Sequence, residues 1–405
     1  MVRYELKKIF SRPLGKGALV VLVVLLGLTI FFACRVRYTD EAGESSVGPA
    51  AAQQLRQQQK AWAGTLDEAL LRKTIAANWE VQHSEDATSE DIVRQNMSYH
   101  RMQSFAVIRD LLNQAYSEDF QAFDYYTADA LTPDDAPAFY ENRVQLLRNY
   151  LKENQVSFSP EEAAYLVDQY EALETPFSVD YVSGWQQFYE YSPTAIMLLA
   201  LVLCFLIAGI FSQEGQYKAD AIFFSTCHGR GKGTAAKVKA GLLLLTVLYW
   251  VPFLLFAGLT LGLLGADGAN CPVQLVAWKS FYNITLWQGG LLIAVGGYLG
   301  TLVLGLVTMA VSAKTGSTML AAVLPFAIIF VPAMLMRGGN ALLNDILGLL
   351  PDKLLQLSRD LSYFDLYQIG DRVTGAIPVL FVLYLVLTVL LVPLLYHTYK
   401  RKQLK

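Results

Sequence analysis

A glycine-rich basic turn, His228–Thr234, is the stretch whose residue types could hold a phosphate group. A P-loop has glycine, four residues, then Gly-Lys-Ser/Thr, so that backbone N–H groups surround the phosphates. Counting back from Gly231 and Lys232 puts Thr226 at the first glycine, and Gly233 stands where Ser or Thr is required. The pattern fails and no other Walker sequence occurs, so we expect no ATP hydrolysis by this chain itself.

Other catalytic arrangements are also missing from the sequence. The histidines are scattered over three regions, and the cysteines have neither metal nor redox spacing. They are His83, His100, His228 and His397, and Cys34, Cys204, Cys227 and Cys271. We therefore predict a non-enzyme without a metal site or a cofactor of its own. Cys34 and Cys271 both fall near the same membrane face and could pair.

The elements that would position any functional residue are membrane helices. Of the 405 residues, 54% are hydrophobic and only 17% are charged, which is too apolar for a soluble chain of this length. A bilayer core requires about 20 apolar residues in a helix, where every backbone amide is satisfied internally. Six runs fit: 18–34, 193–212, 240–265, 286–312, 318–336 and 376–396. The predicted fold is an all-α, six-helix polytopic membrane protein.

The positive charges in the short flanks predict the orientation. They fall on one side of six spans: Arg3, Lys7, Lys8, Arg12 and Lys16; Lys218, Arg230, Lys232, Lys237 and Lys239; Lys314; and Lys400, Arg401, Lys402 and Lys405. Basic flanks stay in the cytoplasm. We therefore expect a multi-pass plasma-membrane protein with both termini, the tail 397–405 and the loop 213–239 inside the cell.

Residues 35–192 form the predicted extracellular domain, inserted after the first span. They contain 12 Lys and Arg against 26 Asp and Glu, a net charge of −14, whereas the rest of the chain has 20 against 9, or +11. Helix-favouring composition and periodicity predict helices over 50–79, 89–116 and 133–154, and Ser159 as a helix N-cap. The acidic surface favours solubility, and it also fits a cationic peptide or drug as substrate.

Two amphipathic segments flank the spans. Residues 1–17 predict a helix on the inner membrane surface, with an apolar side formed by Tyr4, Leu6, Ile9 and Phe10. Residues 337–375, between the fifth and sixth spans, are predicted on the outer side. This segment either lies on or dips into the membrane, or forms a plain surface loop.

The spans themselves lack charged residues in their interiors. Ion-coupled transporters usually carry ionisable groups there, so transport by this chain requires an external energy source. Gly296 and Gly300 give the fourth span a small-residue face for close helix packing.

The long cytoplasmic loop has a distinctive order of residues. An acid, Glu214, follows the second span, then comes a short apolar run, Ile222, Phe223 and Phe224, and then Arg230 in the basic turn. Such a loop favours docking of a soluble partner. Burial of the two phenylalanines at the membrane surface is the alternative.

The whole layout resembles the permease subunits of type-2 ABC exporters, in the bacterial branch with a large insert after the first helix. The resemblance is carried by Glu5-Leu6-Lys7-Lys8-Ile9-Phe10, by Ile210-Phe211-Ser212-Gln213-Glu214, by Ser225-Thr226 followed by Arg230 and Lys237, and by Glu174-Thr175-Pro176-Phe177 with Gly184-Trp185. Cys227 stands where the family commonly has proline, and Lys218-Ala219 where it often has Gly-Thr.

This resemblance implies a mechanism. Two permeases, identical or homologous, form the pathway, and two ATPase subunits that carry ATP and Mg²⁺ dock on their cytoplasmic loops. The coupling helix would be about 216–226, with the apolar run inserted into an ATPase groove and with Glu214 and Arg230 at its ends. We then expect Phe223→Asp to abolish docking without preventing membrane insertion.

A second hypothesis is a membrane receptor or scaffold without an ATPase, similar to phage-infection-protein-like membrane proteins. That group shares the order of one helix, an outer domain and five helices. A neighbouring reading frame that encodes a Walker-type ATPase would favour the exporter. Nothing in the sequence indicates a nucleic-acid partner.

Overall fold

The structure is a computed structural model that describes residues 1–335 and 341–401. Met336 of the predicted fifth span, residues 337–340 and tail residues 402–405 lie outside the described residues. In chain order the helices are α1 (Val2–Phe10), α2 (Pro13–Ala33), α3 (Pro49–Gln59), α4 (Glu68–Gln82), α5 (Ile92–Met102), α6 (Ala106–Ala115), α7 (Phe139–Glu153), α8 (Pro160–Glu171), α9 (Ser183–Ile207), α10 (Gln213–Gln216), α11 (Asp220–Ser225), α12 (Thr234–Leu264), α13 (Leu286–Thr315), α14 (Thr318–Leu335), α15 (Ala341–Leu347), α16 (Pro351–Leu355), α17 (Leu357–Asp360) and α18 (Ala376–Lys400).

The chain is mostly helical, but it is not purely α-helical as predicted. The described residues include three small antiparallel sheets of two strands each. They pair β1 (Arg37–Thr39) with β2 (Ser45–Val47), β3 (Gly64–Thr65) with β4 (Ser178–Val179), and β5 (Leu366–Ile369) with β6 (Arg372–Gly375). The β3–β4 pair joins the beginning of the inserted domain to its end.

Five of the described helices, α2, α9, α12, α13 and α18, are long and apolar enough to cross a membrane. The apolar helix α14 is shorter. A multi-pass membrane protein is therefore supported, while the count of six spans stays a prediction. The helix α9 begins at Ser183, ten residues before the predicted second span, and Pro193 lies inside it. The added turns are amphipathic, since Trp185, Phe188 and Tyr189 are buried against the bundle.

The N-terminal helix packs on α12 through one of its sides. Ile9 is buried, and Leu6 and Phe10 are half-buried against the main core, but Tyr4 is 72% exposed. The prediction that Tyr4 shares an apolar side with Leu6, Ile9 and Phe10 is therefore wrong. At 3.6 residues per turn, Tyr4 lies roughly opposite the other three. Pro13 is the first residue of α2, where its missing N–H costs nothing.

Two of the three helices predicted in the inserted domain are each divided into two shorter helices in the structure. The stretch 50–79 divides into α3 and α4, since Gly64 adopts a φ of +154° that side chains rarely tolerate. The stretch 89–116 divides into α5 and α6 around a 3₁₀ turn, Gln103–Phe105. The third prediction, 133–154, opens with a 3₁₀ turn and continues as α7.

One finer prediction for this domain, the N-cap, is confirmed. Ser159 caps α8 and forms a capping box with Glu162. The apolar stripe of α5 and α6 is buried, and it consists of Met102, Phe105, Ile108 and Leu112. A disulfide between Cys34 and Cys271 is not formed. Both thiols are free and belong to separate hydrophobic clusters.

The segment between α14 and α18 is not a plain surface loop. Leu354, Leu355, Leu357 and Leu361 in and after α16 and α17 are fully buried, and they pack between α13 and α9. Gly296 and Gly300 face this segment, and a Cβ on Gly296 would also lie 3.4 Å from the Phe381 ring of α18. A Cβ on Gly300 would lie 3.2 Å from Leu354 Cβ. The alternative in which the segment dips among the membrane helices is the one that the packing favours.

Candidate functional site at the loop between α9 and α12

The polar loop between α9 and α12 is organised around one buried ammonium group. Lys237, in the first turns of α12, is 1% exposed and uses all three of its donors. Its Nζ lies 2.7 Å from Glu214 Oε1, 3.0 Å from Glu5 Oε2 and 2.8 Å from the carbonyl oxygen of Ile210. The loop, the N-terminal helix and α12 therefore meet at a single charged side chain.

Lys8 completes a four-residue ion cluster. Its Nζ lies 3.0 Å from Glu5 Oε1 and 3.2 Å from Glu214 Oε1, while about half of its side chain remains exposed. Two lysines and two glutamates balance in charge. Burial alone would raise the pKa of Glu214, but the Lys237 ammonium outweighs this effect and holds that pKa below its usual value. The Glu214 carboxylate is thus stabilised as an internal counter-ion.

An aromatic cluster attaches the same loop to the end of α18. The Tyr399 ring lies 4.7 Å from the ring centroid of Phe211, 5.2 Å from Phe224 and 6.1 Å from Phe223. Arg230 stacks over Phe224 at 4.9 Å and donates to the carbonyl oxygen of Lys400 at 3.0 Å. On another side, Ser212 and Gln216 both hydrogen-bond the hydroxyl of Thr318, in the first turn of α14.

The glycines of the basic turn have a packing role. A Cβ on Gly229 would lie 1.7 Å from the carbonyl oxygen of Phe223, and a Cβ on Gly233 would lie 3.0 Å from the Phe223 ring. Both positions therefore require the absence of a side chain for the turn to close over α11. Close packing thus accounts for two of the three glycines, whereas a Cβ on Gly231 would meet no atom within 4 Å.

The predicted site residues divide into an internal and an exposed set. Glu214 and Phe224 are buried within the chain and Phe223 is half-buried, so in this conformation they are not presented together to a partner. Ile222 is 70% exposed, and Tyr217, which the sequence reasoning did not select, is 71% exposed. The exposed positions of the loop are 215–218, 221–222, 225–228, 230 and 232.

Sequence reasoning missed the roles of Glu5, Lys8 and Tyr399, and it assigned Lys237 only to the basic flank and the family pattern. One signal in the sequence could have indicated a role for Glu5. It is the only acidic residue among residues 1–16. Within the described ranges, no group of three or more His, Cys, Asp or Glu residues is arranged to hold a metal ion. Comparison with known protein families, with curated proteins and with solved structures found no match for this chain.

Proposed function

We propose that the chain is the membrane-spanning permease subunit of an ATP-driven exporter of the ABC type. In this proposal a separate ATPase carries ATP and Mg²⁺ and docks on the loop between α9 and α12. The chain pairs with a second permease, lies in a bacterial plasma membrane with both termini inside, and exposes its inserted domain, 35–192, outside the cell. The absence of charged residues from the interiors of the apolar runs supports an energy source outside the chain.

The observation that carries the proposal is the way in which the loop is attached. The Lys237 cluster joins it to α1 and α12, Tyr399 joins it to α18, and Thr318 joins it to α14. A displacement of this loop would therefore move four helices together. This is the mechanical property that a coupling element requires, and a flexible polar linker would lack it.

The contacts also revise the roles within the coupling loop. Phe223, Phe224, Glu214 and Arg230 hold the loop to its own chain, and the exposed Ile222 is the apolar anchor offered to the ATPase. A well-packed anchor in a partner's groove typically costs about 2 kcal/mol or more when it is removed. Phe223→Asp would disturb internal packing as well, so Ile222 is the sharper position for a test.

The test is Ile222→Asp in the full-length protein, co-expressed with a candidate ATPase. We expect loss of ATPase co-purification with unchanged membrane insertion, because the substitution places a charge at the apolar anchor. The matched control is Val156→Asp, which makes the same change at a fully exposed position of the inserted domain. Full co-purification of the Ile222 variant would contradict the assignment. A lack of any associating ATPase would favour the receptor or scaffold hypothesis.

A further inference from the structure

A cavity of about 610 Å³ lies where the inserted domain meets the loop before α13 and the segment after α17. Its size is within the range of small-molecule sites. Tyr150, Phe158, Trp278 and Phe364 provide aromatic walls, and each comes from a different part of the chain. The ring centroids of Tyr150 and Phe158 are 6.1 Å apart, and those of Phe158 and Phe364 are 6.3 Å apart. These walls suit an apolar body.

Two cations without carboxylate partners line the same cavity. Among the described residues, Lys279 and Arg359 form no ion pair; Lys279 donates to Gln121 Oε1 at 2.8 Å, and Arg359 donates to Gln356 Oε1 at 3.1 Å. The one acid in the lining, Asp365, is already paired with Lys353 at 2.7 Å. Burial lowers the pKa of Lys279, and the Asp119 carboxylate offsets this only in part. The cavity is therefore locally basic, although it borders the inserted domain, whose net charge is −14.

The backbone that presents Lys279 is held by buried side chains. Tyr170 donates its hydroxyl to the Lys279 carbonyl oxygen at 2.8 Å, and Gln274 donates to the Ser280 carbonyl oxygen at 3.0 Å. Arg143 reaches the carbonyl oxygens on both sides of Lys279, at 3.5 and 3.4 Å. The backbone around Lys279 is therefore preorganised, so a ligand that binds there does not have to order it.

The buried guanidinium of Arg143 is a second reason for the cavity to attract an anion. It is 2% exposed, it stacks at 4.2 Å on the Tyr170 ring, and its Nε has no hydrogen-bond partner among the described residues. Burial lowers the pKa of this guanidinium, and no carboxylate is among the causes that act on it. A charged arginine beneath the loop strengthens the attraction of the cavity for an anion, since buried charges are weakly screened.

We propose that this cavity binds an amphiphilic organic anion, with its charged group on Lys279 and Arg359 and its apolar body against the aromatic walls. An inorganic anion would use none of the rings, and a cationic ligand would meet two unpaired cations. The anion's source is either a membrane lipid or a free amphiphilic acid, which share this chemistry. The inference does not rest on the proposed export function, because binding requires neither ATP nor an ATPase.

The test measures binding of 11-(dansylamino)undecanoic acid to the full-length protein in a nonionic detergent, beside its neutral methyl ester. We expect the acid to bind about tenfold more tightly than the ester, as one charge-assisted hydrogen bond would give. Lys279→Gln should remove that preference, and Lys279→Arg should keep it. Lys73→Gln is the control, because Lys73 lies over the Trp62 ring at 4.2 Å and outside the cavity.

A second variant keeps the test decisive if the first one misfolds. Arg359→Gln changes an exposed side chain and should weaken acid binding several-fold while the unfolding temperature stays constant. Displacement of the probe by phosphatidylglycerol or by decanoate supports the proposal and separates the lipid source from the free acid. The proposal is overturned if acid and ester bind equally, if the folded Lys279 and Arg359 variants both bind like the unmodified protein, or if inorganic phosphate alone displaces the probe.

Discussion

At the scale of single residues, the position of Lys237 decides how the polar loop works. It is a basic residue at a cytoplasmic helix end in the predicted orientation, and Lys239 two positions later has the same appearance in sequence. Yet Lys239 is exposed and Lys237 is enclosed by two carboxylates and a carbonyl group. A charge is buried at acceptable cost only when it is paired and hydrogen-bonded, so these partners depend on one another.

Lys237→Met should destabilise the protein strongly, because it leaves two carboxylates near the core without their main counter-ion. Breaking one side of a buried pair typically costs about 3–5 kcal/mol. The measurement is the thermal unfolding temperature in detergent, with the exposed Lys239→Met as the matched control. Combining Lys237→Met with Glu214→Gln should recover part of the loss. A Lys237 variant as stable as the control would mean that the cluster contributes little.

At the scale of elements, the segment of α16 and α17 is the least expected feature. Its amphipathic pattern predicts a segment that lies on or dips into the membrane on the outer side, with a plain surface loop as the alternative. In the structure its leucines fill a space left by Gly296 and Gly300 on α13. A small-residue face usually brings two long helices together, and here it also admits a short helix.

Gly300→Val should push α16 away from α13. The added Cβ would lie 3.2 Å from atoms of both Leu354 and Leu355, and the γ-methyl groups would require further displacement. Overpacking of this kind costs about 1–3 kcal/mol, seen as a lower unfolding temperature in detergent. Gly262→Val on α12 is the control, since a Cβ there meets no atom within 4 Å. Equal stability of the two variants would argue against close packing of α16.

At the scale of the whole molecule, charge is divided between two regions. The inserted domain is strongly acidic, whereas the loop and the termini carry the basic flanks, and this division is the basis of the proposed orientation. The division is not uniform at finer scale, because the cavity around Lys279 is basic. The acidic total favours solubility and also fits a cationic substrate, whereas the local arrangement at the cavity favours an anion.

The proposed orientation can be tested with the cysteines. Cys227 in the loop is exposed, and Cys34, Cys204 and Cys271 are buried, so a membrane-impermeant maleimide should react mainly with Cys227. In intact cells we expect no labelling of Cys227 until the membrane is permeabilised. Val156→Cys in a Cys227→Ser background should be labelled without permeabilisation, as Val156 is fully exposed. Labelling of Cys227 in intact cells would contradict the proposed orientation and place the loop outside the cell.

Sequence alone determined the class of the protein, the places of the apolar helices and the separation of charge. These depend on composition and on runs of neighbouring residues, which the bilayer constrains directly. Tertiary structure decided which polar groups are internal. Lys237 and Glu5 are 232 residues apart in sequence, and Lys8 and Glu214 are 206 apart, so no local pattern joins them. Likewise Ile222 and Phe224 are both apolar, and Phe224 is buried because Phe223, Arg230 and Tyr399 contact its ring in the fold, whereas Ile222 stays exposed.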